Sequence, residues 1–295
     1  MTSTLARIIL FSFLFLLFMP QLIFAETKTF IKEYAYQASD FDSKISSRTL
    51  ALEQVKRLLL EEVGTYLISE TEVKDFHLTK DKITTLTGGI VQTEILTEKW
   101  DGKTYYLKAR MTIAPQEVTK FIEGVRENSQ KNRELEETNR RVEEALIKIK
   151  KLQDELAAGQ HLEGKQSEYL KVVDELKSKE WIDKGVVLMN AENYEGALAA
   201  FNNAVEANPN NVWAYIDKGW ALNNRGDFNQ ALKEFDRAAG IDAQNPWIYV
   251  NRGTSFNSLG DYQRGLIDQN KAIGLDANIS WAYINRGWAY CGLGN

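Results

Sequence analysis

Residues 212–245 read VWAYIDKGWALNNRGDFNQALKEFDRAAGIDAQN, and residues 246–279 read PWIYVNRGTSFNSLGDYQRGLIDQNKAIGLDANI. Set one over the other at a step of 34, they share a tryptophan at the second position and a tyrosine at the fourth. They also share a glycine at the eighth position and a Gly-Asp-aromatic run from the fifteenth. The step extends both ways. Residues 178–211 place Trp181, Gly185, Leu188 and Glu192-Asn193-Tyr194 in the matching positions, and residues 280–295 begin again with Trp281, Tyr283, Gly287 and Tyr290. A period of this length is one pair of antiparallel helices, a unit that buries its apolar face only by stacking on its neighbours.

Each repeated position has a physical reason. The glycines of the Gly226-Asp227-Phe228 and Gly260-Asp261-Tyr262 turns suit a left-handed backbone that other residues adopt at a cost. Small residues around an aromatic in the second helix, Ala197, Phe201 and Ala204 and then Ala231, Phe235 and Ala238, allow close helix approach. Pro209 follows a helix end. Repeat three has Gly265 and Gln269 in place of the alanine and the aromatic, so its second helix is expected to pack more weakly. Position by position this set resembles the tetratricopeptide-repeat family. Ala243 and Ala277 depart from it, standing where proline is usual.

The resemblance implies an all-α superhelix over residues 178–295, with repeats at 178–211, 212–245, 246–279 and a partial one at 280–295. It also implies that the first helix of each pair lines an inner groove with its second, fifth, ninth and twelfth positions. In repeat two these are Trp213, Ile216, Trp220 and Asn223. In repeat three they are Trp247, Val250, Thr254 and Asn257, and in repeat four Trp281, Ile284, Trp288 and Cys291. Repeat one offers Lys179, Ile182, Val186 and Met189. Five of the seven tryptophans fall on this stripe. The sixth positions are Asp183, Asp217, Asn251 and Asn285, and in some family members asparagines there hold the backbone of an extended peptide. The candidate partner-binding residues are therefore Trp213, Trp220, Asn223, Trp247, Asn251, Asn257, Trp281, Asn285 and Trp288. The competing reading of the indoles is packing between neighbouring helices. The last helix would expose Tyr283, Trp288 and Tyr290 near Asn295, from which a fragment or truncated reading frame is expected.

The rest of the chain gives a multidomain reading: a small α+β domain at 26–120, a helical connector at 121–177, then the repeats. In the first part, Leu52, Val55, Leu59, Val63 and Leu67 have helical spacing. Two strand-like runs, Ile90–Trp100 and Lys103–Ile113, flank Asp101-Gly102, a hairpin signal. Tyr105, Leu107, Ala109, Met111 and Ile113 alternate onto one face, so one long helix across a small antiparallel sheet is expected. The order resembles the N-terminal domain of flagellar assembly protein T and related outer-membrane lipoproteins, which implies an envelope protein without chemistry of its own. In the connector, Pro115 opens a helix toward Gln160. Leu135, Val142, Ile149 and Leu156 recur every seven residues with Thr138, Ala145 and Leu152 between them, an a/d seam. Two readings stay open for it: a coiled-coil homo-oligomer, or one amphipathic helix on its own chain or spanning solvent. Gly159 and Gly164 are expected to break the helix.

Residues 1–25 resemble a secretory signal peptide, with Arg7 before an apolar run and Ala25 before the cut. The protein is thus expected to be periplasmic or secreted, the alternative being a membrane anchor over residues 8–24. Cys291 is the lone cysteine, so no internal disulfide is expected. A net charge of −5 gives no basic footprint for nucleic acid. His77 and His161 sit in different segments, no phosphate loop is present, and Gly88-Gly89 reads as a loop or bulge. No catalytic residues, metal ligands or cofactors are assigned. The expected function is an exported scaffold for a protein or peptide of the cell envelope. Alternatives are a wall-glycan binding module, with indoles stacking on sugars, or the targeting arm of an enzyme continuing past residue 295.

Overall fold

The computed structural model describes residues 27–69, 91–116, 118, 129–158 and 162–294. Residues 1–25, His77, Gly88-Gly89, Gly159, His161 and the side chains of Leu135 and Thr138 lie outside the described residues. Among those described, no helix is long and apolar enough to cross a membrane.

The first part is a three-stranded antiparallel sheet with one helix across it. Strand β1 (Lys28–Gln37), helix α1 (Lys44–Ser69), β2 (Thr93–Trp100) and β3 (Thr104–Ile113) follow in chain order, and β3 is central. Asp101 closes the β2–β3 turn by accepting the amides of Lys103 (2.9 Å) and Thr104 (2.7 Å), while Gly102 takes φ +100°. The strand alternation of β3 is realised: Tyr105, Leu107, Ala109, Met111 and Ile113 are all buried, against Leu52, Val55, Leu59, Val63 and Leu67 of α1.

Helix α1 is covered on a second side too. Ser46, Ser47, Thr49 and Glu53 are buried, and Leu50 joins a separate cluster with Ile149, Leu152, Leu156, Tyr169, Val172, Val173 and Leu176. That cluster belongs to an antiparallel hairpin of α2 (Ser129–Ala157) and α3 (Leu162–Asn190), laced by Lys148–Glu168 (2.7 Å) and Lys165–Glu155 (2.8 Å). The described part of the heptad seam thus closes on the chain's own α3. Gly164 does not break a helix: it lies in the first turn of α3, where a missing side chain disturbs no packing. Between Lys165 and Lys184 there is neither glycine nor proline, so α3 runs unbroken from the connector into the first helix of repeat one.

Asp42 ties these parts together. Its carboxylate accepts bonds from Tyr36 (3.0 Å), Ser39 Oγ (2.7 Å) and Ser46 (3.2 Å), and also from Tyr169 of α3. Burial pushes the Tyr36 and Tyr169 hydroxyls well above the usual tyrosine range, so both remain donors. Nearby, Arg48 of α1 grips Glu180 of α3 with paired contacts of 2.9 and 3.0 Å.

Helices α4 (Tyr194–Ala207), α5 (Val212–Arg225), α6 (Phe228–Ile241), α7 (Pro246–Ser258), α8 (Tyr262–Leu275) and α9 (Ser280–Gly292) complete the chain. The end of α3 pairs with α4, α5 with α6, and α7 with α8; α9 stands without a second helix among the described residues. The eighth-position glycines explain the pairing. A Cβ at Gly185 would stand 2.3 Å from Phe201, and one at Gly219 would stand 2.5 Å from Phe235. In repeat three Gln269 fills the ring's place and donates to the Val250 carbonyl (3.0 Å), while Asn257 occupies the space left by Gly265. The seat is therefore filled but polar, and the side-chain oxygens of Asn257 and Gln269 are buried with no hydrogen-bond partner among the described residues, which costs stability.

The turn into α4 carries Glu192 at φ 56°, where the later turns use Gly226 and Gly260. A left-handed glutamate is strained by about 1 kcal/mol. Glu192→Gly is therefore expected to raise the thermal midpoint by about 2–4 °C, and Glu192→Val to lower it, in differential scanning calorimetry.

Candidate functional site

The first helices of the pairs form the inner layer. The end of α3 packs on α5, α5 on α7, and α7 on α9, whereas no comparable packing joins α4, α6 and α8 to each other. Elements packed more closely along a stack lie on the inside of its curve.

Asparagines and serine stitch this layer. Asn223 donates to the carbonyl of Asn251 (3.3 Å), and Asn257 donates to that of Asn285 (2.9 Å): the same bond, one repeat on. Ser255 donates to Asn223 Oδ1 (2.8 Å), and Asn285 donates to Thr254 (2.9 Å). Asn251 bonds back to the Trp247 carbonyl of its own helix (2.9 Å). Asn257 is 1% exposed and Asn285 9%. These amides are turned into the solenoid and committed to it. The signal in the sequence was the recurrence of Asn223 and Asn257 at position twelve and of Asn251 and Asn285 at position six, with the small Ser255 facing Asn223 across the helix–helix contact.

The tryptophans are placed differently. Trp213 and Trp220 lie seven residues apart on one face of α5, and Trp281 and Trp288 do the same on α9. All four are exposed, Trp281 at 61%. Trp247 is half-buried against the repeat core, and Thr254, at the ninth position of α7, bonds the Val250 carbonyl of its own helix (2.8 Å). The structure thus separates the nine candidates into four open indoles, one half-buried indole and four asparagines that bond within the chain.

The electrostatics change along the layer. Lys179 pairs with Asp183 (2.7 Å) in repeat one. Asp217, one repeat on, is half-buried and no donor among the described residues bonds it. Burial, with the Asp183 carboxylate adding to it, pushes its carboxyl up to about 7. Asn251 and Asn285 continue the series without charge. Elsewhere, Lys218 meets Glu234 at 3.1 Å, and Arg252 joins Asp268 of its own repeat and Asp236 of the previous one, each at 2.8 Å. A shallow depression of about 630 Å³ beside α3, lined in part by Leu170, Asp174 and Pro209, contains none of the tryptophans. Among the described residues no group of three or more His, Cys, Asp or Glu side chains could hold a metal ion.

With this geometry in hand, comparison with known proteins agrees on the repeats. Residues 182–246 match the family model described as Tetratricopeptide repeat. No curated protein matches the chain. Among solved structures, the TPR domain of Arabidopsis OM64 is 23% identical with a TM-score of 0.39, covering 40% of this chain and 98% of that one. The first TPR of Spaghetti (RPAP3), bound to an HSP90 peptide, is 17% identical with a TM-score of 0.40, covering 41% and 96%. The TPR2B domain of yeast Sti1, in complex with an Hsp70 peptide, is 19% identical with a TM-score of 0.38, covering 40% and 98%.

An acid whose folded-state value is raised holds its proton longer when folded, so its contribution to stability is complete below about pH 4 and is lost as pH rises toward 7. Asp217→Asn is expected to remove that decline and to be more stable than the parent at pH 8. Thermal midpoints measured from pH 4 to 8 check this; parallel curves for parent and variant would contradict it.

Proposed function

We propose that this protein is a scaffold that holds a segment of another protein on the inner layer of its helix pairs. The observation that carries the reading is the set of exposed indoles, Trp213, Trp220, Trp281 and Trp288, on two of the first helices. Exposed aromatic surface of this kind marks binding sites, and tryptophan contributes more than most residues to the affinity of an interface. The segment that fits carries apolar side chains for the indoles and a basic group toward Asp183 and Asp217. Asn223, Asn251, Asn257 and Asn285 support it from beneath by fixing the spacing of the helices.

The scaffold works outside the cytoplasm in this reading, in the periplasm or cell envelope. Support comes from Arg7, the apolar run to Phe24 and Ala25. The small domain is its fixed base, locked to α3 through Asp42 and Arg48. The scaffold needs no oligomer, because Ile149, Leu152 and Leu156 are covered within the chain.

Comparative capture from envelope extract tests the proposal, with the parent protein and the Trp220→Ala, Trp288→Ala double variant as baits. A partner held by the parent is expected to be lost from the variant, with affinity reduced about thirtyfold or more, as for central interface tryptophans. Unchanged circular dichroism would confirm that the variant is folded. Equal capture by both baits would move the function off the inner layer.

A further inference from the structure

Along α5 three side chains share one face: Trp213, Asp217 four residues on, and Trp220 three beyond it. The indoles are 37% and 36% exposed, and seven residues of helix set them about 10 Å apart along the axis. Asp217 lies half-buried between them, and no donor among the described residues bonds it. The cations around it are engaged elsewhere. Lys179 of α3 pairs with Asp183 (2.7 Å), Lys218 with Glu234 of α6 (3.1 Å), and Arg225 with Glu195 of α4. Arg252 of α7 pairs with Asp268, and Lys56 of α1, which acts on Asp183, is held by Glu53 (3.0 Å). Asp183 is the charged side chain whose field reaches Asp217, and at the matching place on α7 stands the uncharged Asn251. The same layer offers little to an extended chain. Asn223, Asn251, Asn257 and Asn285 each donate to an oxygen of the protein itself. A peptide lying extended here would lose water from its amides and carbonyls without gaining those partners. A helix arrives with its backbone already bonded, and its side chains recur at the spacing of α5.

We propose that the segment held on α5 is an amphipathic helix of the partner protein, with apolar residues seven apart on Trp213 and Trp220 and a lysine or arginine between them on Asp217. The inference rests on the reading of the inner layer as a binding face, and it adds the partner's conformation, its register and the residue that selects it. A helix that lays an apolar stripe along a groove is recognised by anchors at this spacing. The basic residue stands three or four after the first apolar one. Either direction of the helix then suits, because Asp217 is four residues from one indole and three from the other. Complementary charge fixes the register and rejects a helix with an acid in that place. Asp217 also makes capture respond to pH. Burial, with the Asp183 carboxylate adding to it, holds its carboxyl up at about 7, so the ionised fraction, and with it the attraction for a cation, grows as pH rises through 7.

The probe is a labelled synthetic helix, AQAAQLAAKKAALAAQAAQ, titrated into the full chain by fluorescence anisotropy. Its leucines are seven apart, and its lysines stand three and four after the first. Saturable binding is expected, weakened at least tenfold by glutamates in place of the lysines and by Trp220→Ala in the protein. Proline in place of the alanine before the lysines breaks the helix while keeping both anchors and the charge, and it is expected to weaken binding as much. Affinity is expected to rise about fivefold or more from pH 6 to 8 with the parent and to stay level with Asp217→Asn. Equal binding of the proline peptide would overturn the helix and leave the indole face standing. A pH response unchanged in Asp217→Asn, or a glutamate peptide that binds as well, would overturn the selection by Asp217. Binding indifferent to Trp220→Ala would overturn the inference together with the reading beneath it. No saturable binding would overturn the inference alone, since capture by the parent and the Trp220→Ala, Trp288→Ala variant reports on the indole face independently.

Discussion

The contact between a backbone and a ring organises the repeat region. At Gly185 and Gly219 the absence of a side chain lets a phenylalanine lie on the helix itself. Any larger residue would push the two helices of the pair apart. With the pairs closed this tightly, successive first helices approach one another and share the asparagine bonds, while the second helices stay apart on the outer side. The curve of the solenoid, and with it the placement of Trp213, Trp220, Trp281 and Trp288 on one layer, follows from that asymmetry.

The other end of the stack is closed by the small domain. Helix α1 lies between its sheet and α3, which is why its polar Ser46, Ser47, Thr49 and Glu53 are as buried as its leucines. A sheet covering one face would need only one apolar stripe; the second cover is bought with Asp42, which satisfies hydroxyl donors from three separate elements, and with the Arg48–Glu180 pair. Because α3 continues without a break into repeat one, the orientation of the small domain is transmitted to the first helix pair. The first helix pair is thus anchored by the small domain.

The parts legible from sequence were those where a period or a turn has one physical meaning. The 34-residue step gave the helix pairs, Asp101-Gly102 gave the hairpin, and the alternation from Tyr105 to Ile113 gave the buried face of β3. Legibility failed where a pattern says which face is apolar but not what covers it. The heptad from Val142 to Leu156 is compatible with any helical partner, and only the fold shows that Tyr169 and Val173 of the same chain fill that place. The in-chain bonds of Asn257 and Asn285 were not legible for a related reason. A polar side chain near an inner face can point to a ligand or to the next helix, and a single sequence does not distinguish these. The interruption of the connector helix was legible, but its place was not: one helix ends at Ala157, the next begins at Leu162, and Gly164 lies in its first turn, where glycine is tolerated.

The most direct measurement is a pair of alanine substitutions read by urea denaturation. If the glycine–ring contact governs the repeats, Gly219→Ala forces a methyl group against the Phe235 ring and lowers stability by about 1–2 kcal/mol, despite alanine's better helix propensity. Gly287→Ala, with nothing to meet, raises it by up to about 1 kcal/mol. Opposite signs support the account. The same sign at both positions would show that the glycines are ordinary helix residues, and the arrangement derived from them would not stand.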